Sequence, residues 1–262
     1  EQWAYAPPES LAALGASVQR DWVYRTLLDA TPAYARLGNG SRLLVGGLGA
    51  AGRSYYALDV SNPRGLDAAA AAAQFRWVYP AAGDAANRAL MGYTVGKPVP
   101  VKTAADGDVV LVTSGYDNGL AIGDGKGRLW LLNASTGAVL RTFRTTAGGV
   151  GAEAGLAQVS AFREPDGTVR YAYAGDLLGN LWRFDLARNE GGEMEAELLA
   201  TLRDADGNAQ PVTAAPELTT VENRHNAPQQ CLRTGARRAA VRPILTPPRG
   251  PFRDPSAAPL PD

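Results

Sequence analysis

The chain has 262 residues, is 45% hydrophobic, and balances 26 basic against 26 acidic side chains for a formal net charge of zero. That length holds one large all-β domain; the even charge leaves no footprint for nucleic acid or an anionic membrane surface, and no apolar run reaches the roughly 20 residues of a membrane span. His225 and Cys231 are the only histidine and cysteine, so everything before residue 224 lacks Ser-His-Asp and Cys-His nucleophile systems, His or Cys zinc sites and a disulfide framework.

Glu1-Gln2-Trp3-Ala4-Tyr5 reads as mid-domain sequence rather than a leader, which implies a piece of a longer protein. Pro8-Glu9-Ser10 caps a stretch with Leu11 and Leu14 at helical spacing, which predicts a short surface helix feeding the first strand. From residue 32 one unit is then written three times. First strands at 32–36, 98–102 and 157–162 lead into Gly38-Asn39-Gly40, Ala105-Asp106-Gly107 and Pro165-Asp166-Gly167. Asn-Gly and Asp-Gly supply the positive φ that tight hairpins need. Second strands follow at 43–47, 109–115 and 171–175, each ending on glycine. Third strands share one wording: Tyr55-Tyr56-Ala57-Leu58-Asp59-Val60, Leu129-Trp130-Leu131-Leu132-Asn133-Ala134 and Leu181-Trp182-Arg183-Phe184-Asp185-Leu186. Fourth strands fall at 75–79, 139–143 and 197–202.

Four antiparallel strands repeating at roughly 60-residue spacing predict blades of a β-propeller. One blade cannot bury both of its faces, so its neighbours must cover them. A β-sandwich is the alternative architecture, and the shared Gly…Leu-Trp…Asp wording argues against it. The expectation is therefore an all-β, incomplete propeller of the quinoprotein-dehydrogenase-like type over residues 1–223. It holds three blades and the start of a fourth at 210–218, with a short N-terminal helix. Residues 224–262 form an Arg/Pro-rich tail with neither periodicity, expected to be disordered. The abrupt change of composition suggests a frameshift near codon 223; a natural basic tail able to bind an acidic partner is the other reading.

Three further stretches are read as decoration. The alanine run 68–73 predicts a marginal helix between third and fourth strands. Gly119 to Gly127 lacks the spacing of a phosphate loop and reads as a hairpin connection. Asp117, Asn118 and Asp124 in that connection read as solvated turn residues.

Several strings resemble the PilY-type proteins of type IV pili. They are Leu44 through Val60, Gly92-Tyr93-Thr94-Val95-Gly96-Lys97-Pro98, Ser114-Gly115-Tyr116-Asp117-Asn118, Tyr173-Ala174-Gly175-Asp176 running to Asp185, and Thr213-Ala214-Ala215-Pro216-Glu217. The resemblance covers residues 1–223 in unbroken order and stops at the tail. It implies the C-terminal β-propeller of a pilus assembly and tip-associated adhesin, exported to the outer membrane or pilus surface. Such a module supports pilus biogenesis, surface attachment and twitching motility without catalytic residues. Its implied partners are pilin or minor-pilin subunits and a host or abiotic surface.

The resemblance also implies a calcium loop before the Tyr173 strand, with ligands at alternate positions. Here those positions are Phe162, Glu164, Asp166, Thr168 and Arg170. Glu164 and Asp166 offer carboxylates and Thr168 a backbone carbonyl, whereas Phe162 and Arg170 stand where the family has acidic ligands. A plain hairpin turn without bound Ca2+ is the expectation. Asp204-Ala205-Asp206-Gly207-Asn208 is a second acidic turn without a closing Glu and is read as an ordinary turn. Two other function classes compete. A quinoprotein-type dehydrogenase draws support from the Trp-bearing blade motif and Leu132-Asn133-Ala134-Ser135-Thr136-Gly137. A truncated product without cellular function would expose an unpaired blade face.

Overall fold

The repeated strand units become three sheets with antiparallel four-stranded cores in the computed structural model, which describes residues 3–24, 26–64, 66–119, 123–221 and 229–233. After helix α1 (Pro8–Ala16), the first sheet runs β1 (Ala33–Arg36), β2 (Arg42–Gly47), β3 (Tyr55–Asp59) and β4 (Phe75–Tyr79), with the short helix α2 (Ala68–Ala72) between its last two strands. Helix α3 (Ala85–Leu90) leads to the second sheet: β5 (Val99–Thr103), β6 (Gly107–Thr113), β7 (Lys126–Asn133) and β8 (Val139–Gly148). The third holds β9 (Val159–Arg163), β10 (Val169–Gly175), β11 (Asn180–Asp185) and β13 (Glu197–Thr201), interrupted by β12 (Glu193–Glu195). A final hairpin pairs β14 (Glu217–Val221) with β15 (Gln229–Arg233).

Every strand of the three expected blades is present within a few residues of its sequence position. Four features differ. The N-cap of α1 is Pro7, with no side-chain cap, and the Glu9 carboxylate instead accepts a hydrogen bond from Ser54 Oγ at 2.8 Å. Helix α3 has its own cap, Asp84 accepting from Asn87 N at 3.0 Å. Strand β12 pairs in parallel with β8 and so adds a fifth strand from the third blade's chain to the second blade's sheet. The opening strand of the fourth unit falls at 217–221 rather than 210–218, and its hairpin straddles residue 223. Residues 224–228, including His225, and 234–262 lie outside the described residues, as do the frameshift and disorder readings made on them; Cys231 is a strand residue of β15.

Alternation of side chains along a strand has a physical target. In β7, Trp130 and Leu132 point into a core shared with Val45, Tyr55, Ala57 and Trp77 of the first blade. Leu129 and Leu131 point the other way, into a core with Ala172, Ala174, Trp182 and Phe184 of the third. All four β7 side chains are completely buried. The first blade's remaining face, with Tyr56 and Leu58, is covered by the N-terminal segment through Trp3 and Tyr5, and the Tyr5 and Tyr56 rings lie 5.0 Å apart.

Polar contacts between blades repeat as faithfully as the apolar ones. Trp77 Nε1 of β4 donates to the Ala134 carbonyl just past β7, at 2.9 Å. Arg141 of β8, at the equivalent register position, donates to the Leu186 carbonyl just past β11, at 3.0 Å. Each third strand ends in Asp59, Asn133 or Asp185, whose side chain accepts the backbone N–H two residues on, at 2.8, 3.0 and 3.1 Å. These are Asx turns, so the Asn133–Gly137 wording that suggested a quinoprotein serves here to close a hairpin.

At the opposite end, each connection between blades threads between neighbouring loops. Thr94 Oγ1 accepts from Leu48 N at 2.8 Å, Gly115 N donates to Leu156 O at 2.8 Å, and Leu177 N donates to Ala154 O at 2.7 Å. This close threading explains the Gly92…Gly96 string. A Cβ on Gly96 would sit 2.0 Å from the Ala157 carbonyl oxygen, and one on Gly92 2.0 Å from that of Tyr116. Gly96→Ala is therefore expected to destabilise the fold by about 1–3 kcal/mol. Gly83→Ala, where a Cβ meets nothing within 4 Å, should stay within about 0.5 kcal/mol. Urea unfolding of both variants checks the contrast.

Candidate functional site

The first strands of successive units touch one another: β1 meets β5, β5 meets β9 and β9 meets β14. They form the inner lining, and the hairpin turns at their ends share one side of the molecule. There an open cleft of about 480 Å³ is lined by Tyr34, Arg36, Lys102, Asp108, Arg163 and Asp166, among others. Asp108 binds across blades, its Oδ2 accepting from Gly38 N at 2.6 Å.

The expected calcium-loop residues lie in and beside the β9–β10 turn, and of them Asp166 lines this cleft. Gly167 takes φ +82°, as the turn requires. Asp166 Oδ1 accepts from Thr168 N at 2.8 Å and from Thr168 Oγ1 at 2.7 Å. Those hydrogen bonds, with Lys102 nearby, hold the exposed Asp166 carboxyl below the usual carboxylate value. The Thr168 carbonyl accepts from Glu164 N at 2.7 Å, and the Glu164 carbonyl from Gly167 N at 2.8 Å. Glu164, Asp166 and Thr168 thus share one turn, in which Asp166 Oδ1 and the backbone carbonyls of Glu164 and Thr168 accept the turn's own N–H and O–H groups. Phe162 is half-buried, and Arg170 reaches Asp185 at 3.4 Å with its guanidinium 5.0 Å from the Tyr171 ring centroid. Among the described residues no three His, Cys, Asp or Glu side chains gather as a metal cluster. The second acidic turn is closed the same way: Asp204 Oδ1 accepts from Asp206 N at 3.0 Å and Asn208 N at 2.8 Å.

The loop between β6 and β7 corrects the sequence reading. Asp117, Asn118 and Asp124 are structural partners rather than solvated turn residues. Asp117, in the left-handed region at φ +62°, receives Arg53 on both its carbonyl, at 2.9 Å, and its carboxylate, at 2.8 Å. Arg53 also lies 4.7 Å from the Tyr93 ring centroid. Asn118 is buried and donates to Lys126 O at 2.7 Å. Asp124 grips Arg128 with both oxygens, at 2.6 and 2.8 Å, and Glu193 of β12 approaches the same guanidinium at 2.6 Å. Arg128 is only 3% exposed, which is why two carboxylates must meet it. Nothing in the local sequence pairs Arg53 with Asp117 or Arg128 with Glu193, because both contacts depend on how blades stack.

Asp176 is the one deeply buried carboxylate of the repeat wording. It accepts from Asn180 N at 2.8 Å, Asn180 Nδ2 at 3.0 Å and Trp182 Nε1 at 2.8 Å. Burial pushes its pKa above the usual carboxylate value, against the downward pull of those three donors.

Three four-stranded antiparallel blades wound about touching inner strands, with a fourth begun, define an open β-propeller. The chain belongs to the PilY1 β-propeller family: the model of the PilY1 beta-propeller domain matches residues 25–228. The Type IV pilus biogenesis factor PilY1 of Pseudomonas aeruginosa (strain UCBPP-PA14) is 32% identical over 200 residues, which covers 72% of this chain and 16% of that protein. A Type IV pilus biogenesis factor PilY1 homolog of Xylella fastidiosa is 28% identical over 241 residues, covering 83% of this chain and 15% of that one. The crystal structure of the Pseudomonas aeruginosa PilY1 C-terminal domain superposes with a TM-score of 0.69 at 25% identity, over 91% of this chain and 49% of that chain. The chain therefore spans about a sixth of these curated relatives and half of the solved domain.

The raised pKa of Asp176 gives a pH signature. Its folded carboxyl holds a proton more tightly than the unfolded one, so its contribution to stability is complete below the ordinary value of 3.8 and is lost as pH rises through the higher folded value. The stability advantage of the natural chain over Asp176→Asn is expected to shrink as pH rises from about 4 to 7. Paired denaturation curves measure it, and an advantage that widens with pH would contradict the assignment.

Proposed function

We propose that this chain is a non-enzymatic binding module of a type IV pilus assembly and adhesion protein, acting at the cell surface or on the pilus. It supports pilus biogenesis, attachment and twitching motility by contacting pilin or minor-pilin subunits and a host or abiotic surface. The observation that carries this reading is the match to the PilY1 propeller over residues 25–228, extending through all three blades and the contacts that join them. Printed names of the relatives describe pilus biogenesis factors, and the adhesive and motility roles are the finer part of the proposal.

The test is a graft. Residues 25–228 replace the matched segment of Pseudomonas aeruginosa PilY1 in a strain lacking its own copy, and sheared surface pili, twitching zones and attachment are measured. The expected result is pili and motility well above the deletion strain, with loss of both when Trp182→Asp breaks the core between blades 2 and 3. An exported, protease-resistant chimera that restores no pili would overturn the reading.

The same reading places no calcium at the β9–β10 turn, because Phe162 and Arg170 replace acidic ligands, and Asp166 Oδ1 and the Thr168 carbonyl are engaged within the turn. Calcium at about 5 mM is expected to leave the melting temperature within about 1 °C of that in chelator, since a ligand that does not bind the native state cannot raise it. Phe162→Asp combined with Arg170→Asp should restore a calcium-dependent rise. A rise in the natural chain would sink the assignment.

A further inference from the structure

Three cations stand near the turn-side ends of three successive inner strands. Arg36 ends β1, Lys102 is the penultimate residue of β5, and Arg163 ends β9. In register, Arg36 faces Arg42 and Lys102 faces Asp108 at matching positions of their blades; Arg163 is displaced by the register shift between β9 and β10. All three line the same cleft of about 480 Å³, a volume suited to a small ligand or a few side chains.

The charges there are not equally occupied. Asp108 is committed to Gly38 N and Asp166 to Thr168. Arg36 and Lys102 are exposed and, among the described residues, make no ion pair within 4.0 Å and no side-chain hydrogen bond; Arg163 donates only to Pro100 O, at 3.3 Å. The cleft thus presents cationic side chains without salt-bridge partners, Lys102 acting on Asp166 only at longer range, beside carboxylates already engaged by hydrogen bonds.

We propose that this cleft binds clustered carboxylates, with Arg36, Lys102 and Arg163 as the charged donors. The ligand chemistry is a set of spaced, singly charged groups, presented by an acidic peptide or by a free polycarboxylate. Three cations against Asp108 and Asp166 leave a net lining charge of +1, spread over three separate donors rather than gathered at one point as a compact phosphate needs. Separate carboxylates can each sit beside one cation and away from both acidic side chains, and a guanidinium fork matches a carboxylate in two parallel hydrogen bonds. Where the resemblance implied a cation-binding loop, this chain presents cations.

The test is calorimetric titration of the full chain at low salt with three probes: a synthetic pentapeptide of alternating aspartate and glycine, citrate, and inorganic phosphate. The peptide or citrate is expected to bind, weakening by about tenfold or more in Arg36→Ala/Lys102→Ala and on raising salt beyond a Debye length of about 5 Å. Peptide binding with weak citrate assigns the site to polypeptide partners, and the reverse assigns it to free polycarboxylates. Both substituted side chains are exposed, so an unchanged melting temperature verifies the fold, and Lys102→Glu should abolish binding through charge reversal. The proposal fails if neither carboxylate probe binds, if phosphate binds more tightly than both, or if the double variant binds as the natural chain does.

Discussion

A four-stranded sheet has two faces, and no residue of its own can cover either. That constraint organises the whole molecule. In β7 it forces Trp130 and Leu132 toward one blade and Leu129 and Leu131 toward the other, with all four completely buried. Removing a buried aromatic of this size costs about 3–5 kcal/mol, comparable to a sizeable part of a domain's net stability. The blades are stable as a stack, and the N-terminal segment with Trp3 and Tyr5 covers the remaining face of the first blade.

Because the blades must stack, their polar groups must meet across the seams, and one solution is repeated with different chemistry. Trp77 and Arg141 are unlike side chains at equivalent register positions, yet each donates to the equivalent carbonyl of the next blade, that of Ala134 or Leu186. The loops show the opposite case. Ser114 occupies the place of Asp176, but its hydroxyl oxygen accepts from Arg128 N, and Trp130 Nε1 is left without a protein partner where Trp182 Nε1 has the Asp176 carboxylate. Both indoles are completely buried all the same, so apolar packing holds each tryptophan with or without that hydrogen bond.

The sequence displays what local physics determines. Asp106-Gly107 and Pro165-Asp166-Gly167 announce their hairpins, and Asp59, Asn133 and Asp185 mark strand ends because an Asx turn needs only its own neighbours. Strand β12 was not legible: three residues, Glu193-Met194-Glu195, carry too little pattern, and their partner β8 lies in another blade. Asn118 and Asp124 looked like loop residues because loops favour them; the burial of Asn118 and the pairing of Asp124 follow from Lys126, Arg128 and the approach of Glu193. The cleft was hidden for the same reason. Arg36, Lys102 and Arg163 are ordinary strand-end cations until the inner strands are brought side by side, while the degenerate turn at Glu164, Asp166 and Thr168 was visible as a motif.

Strand β12 also has a mechanical meaning. Its hydrogen bonds belong to the second blade's sheet, whereas the chain on either side of it, β11 and β13, belongs to the third. Arg128 and Arg144 clasp it further through Glu193 and Glu195. Blades 2 and 3 are stapled together, since drawing them apart must shear the short parallel pairing and its ion pairs together. The joint between blades 1 and 2 has no strand shared between sheets among the described residues. Tension along the chain would be distributed unevenly, with a compliant seam beside a stiff one.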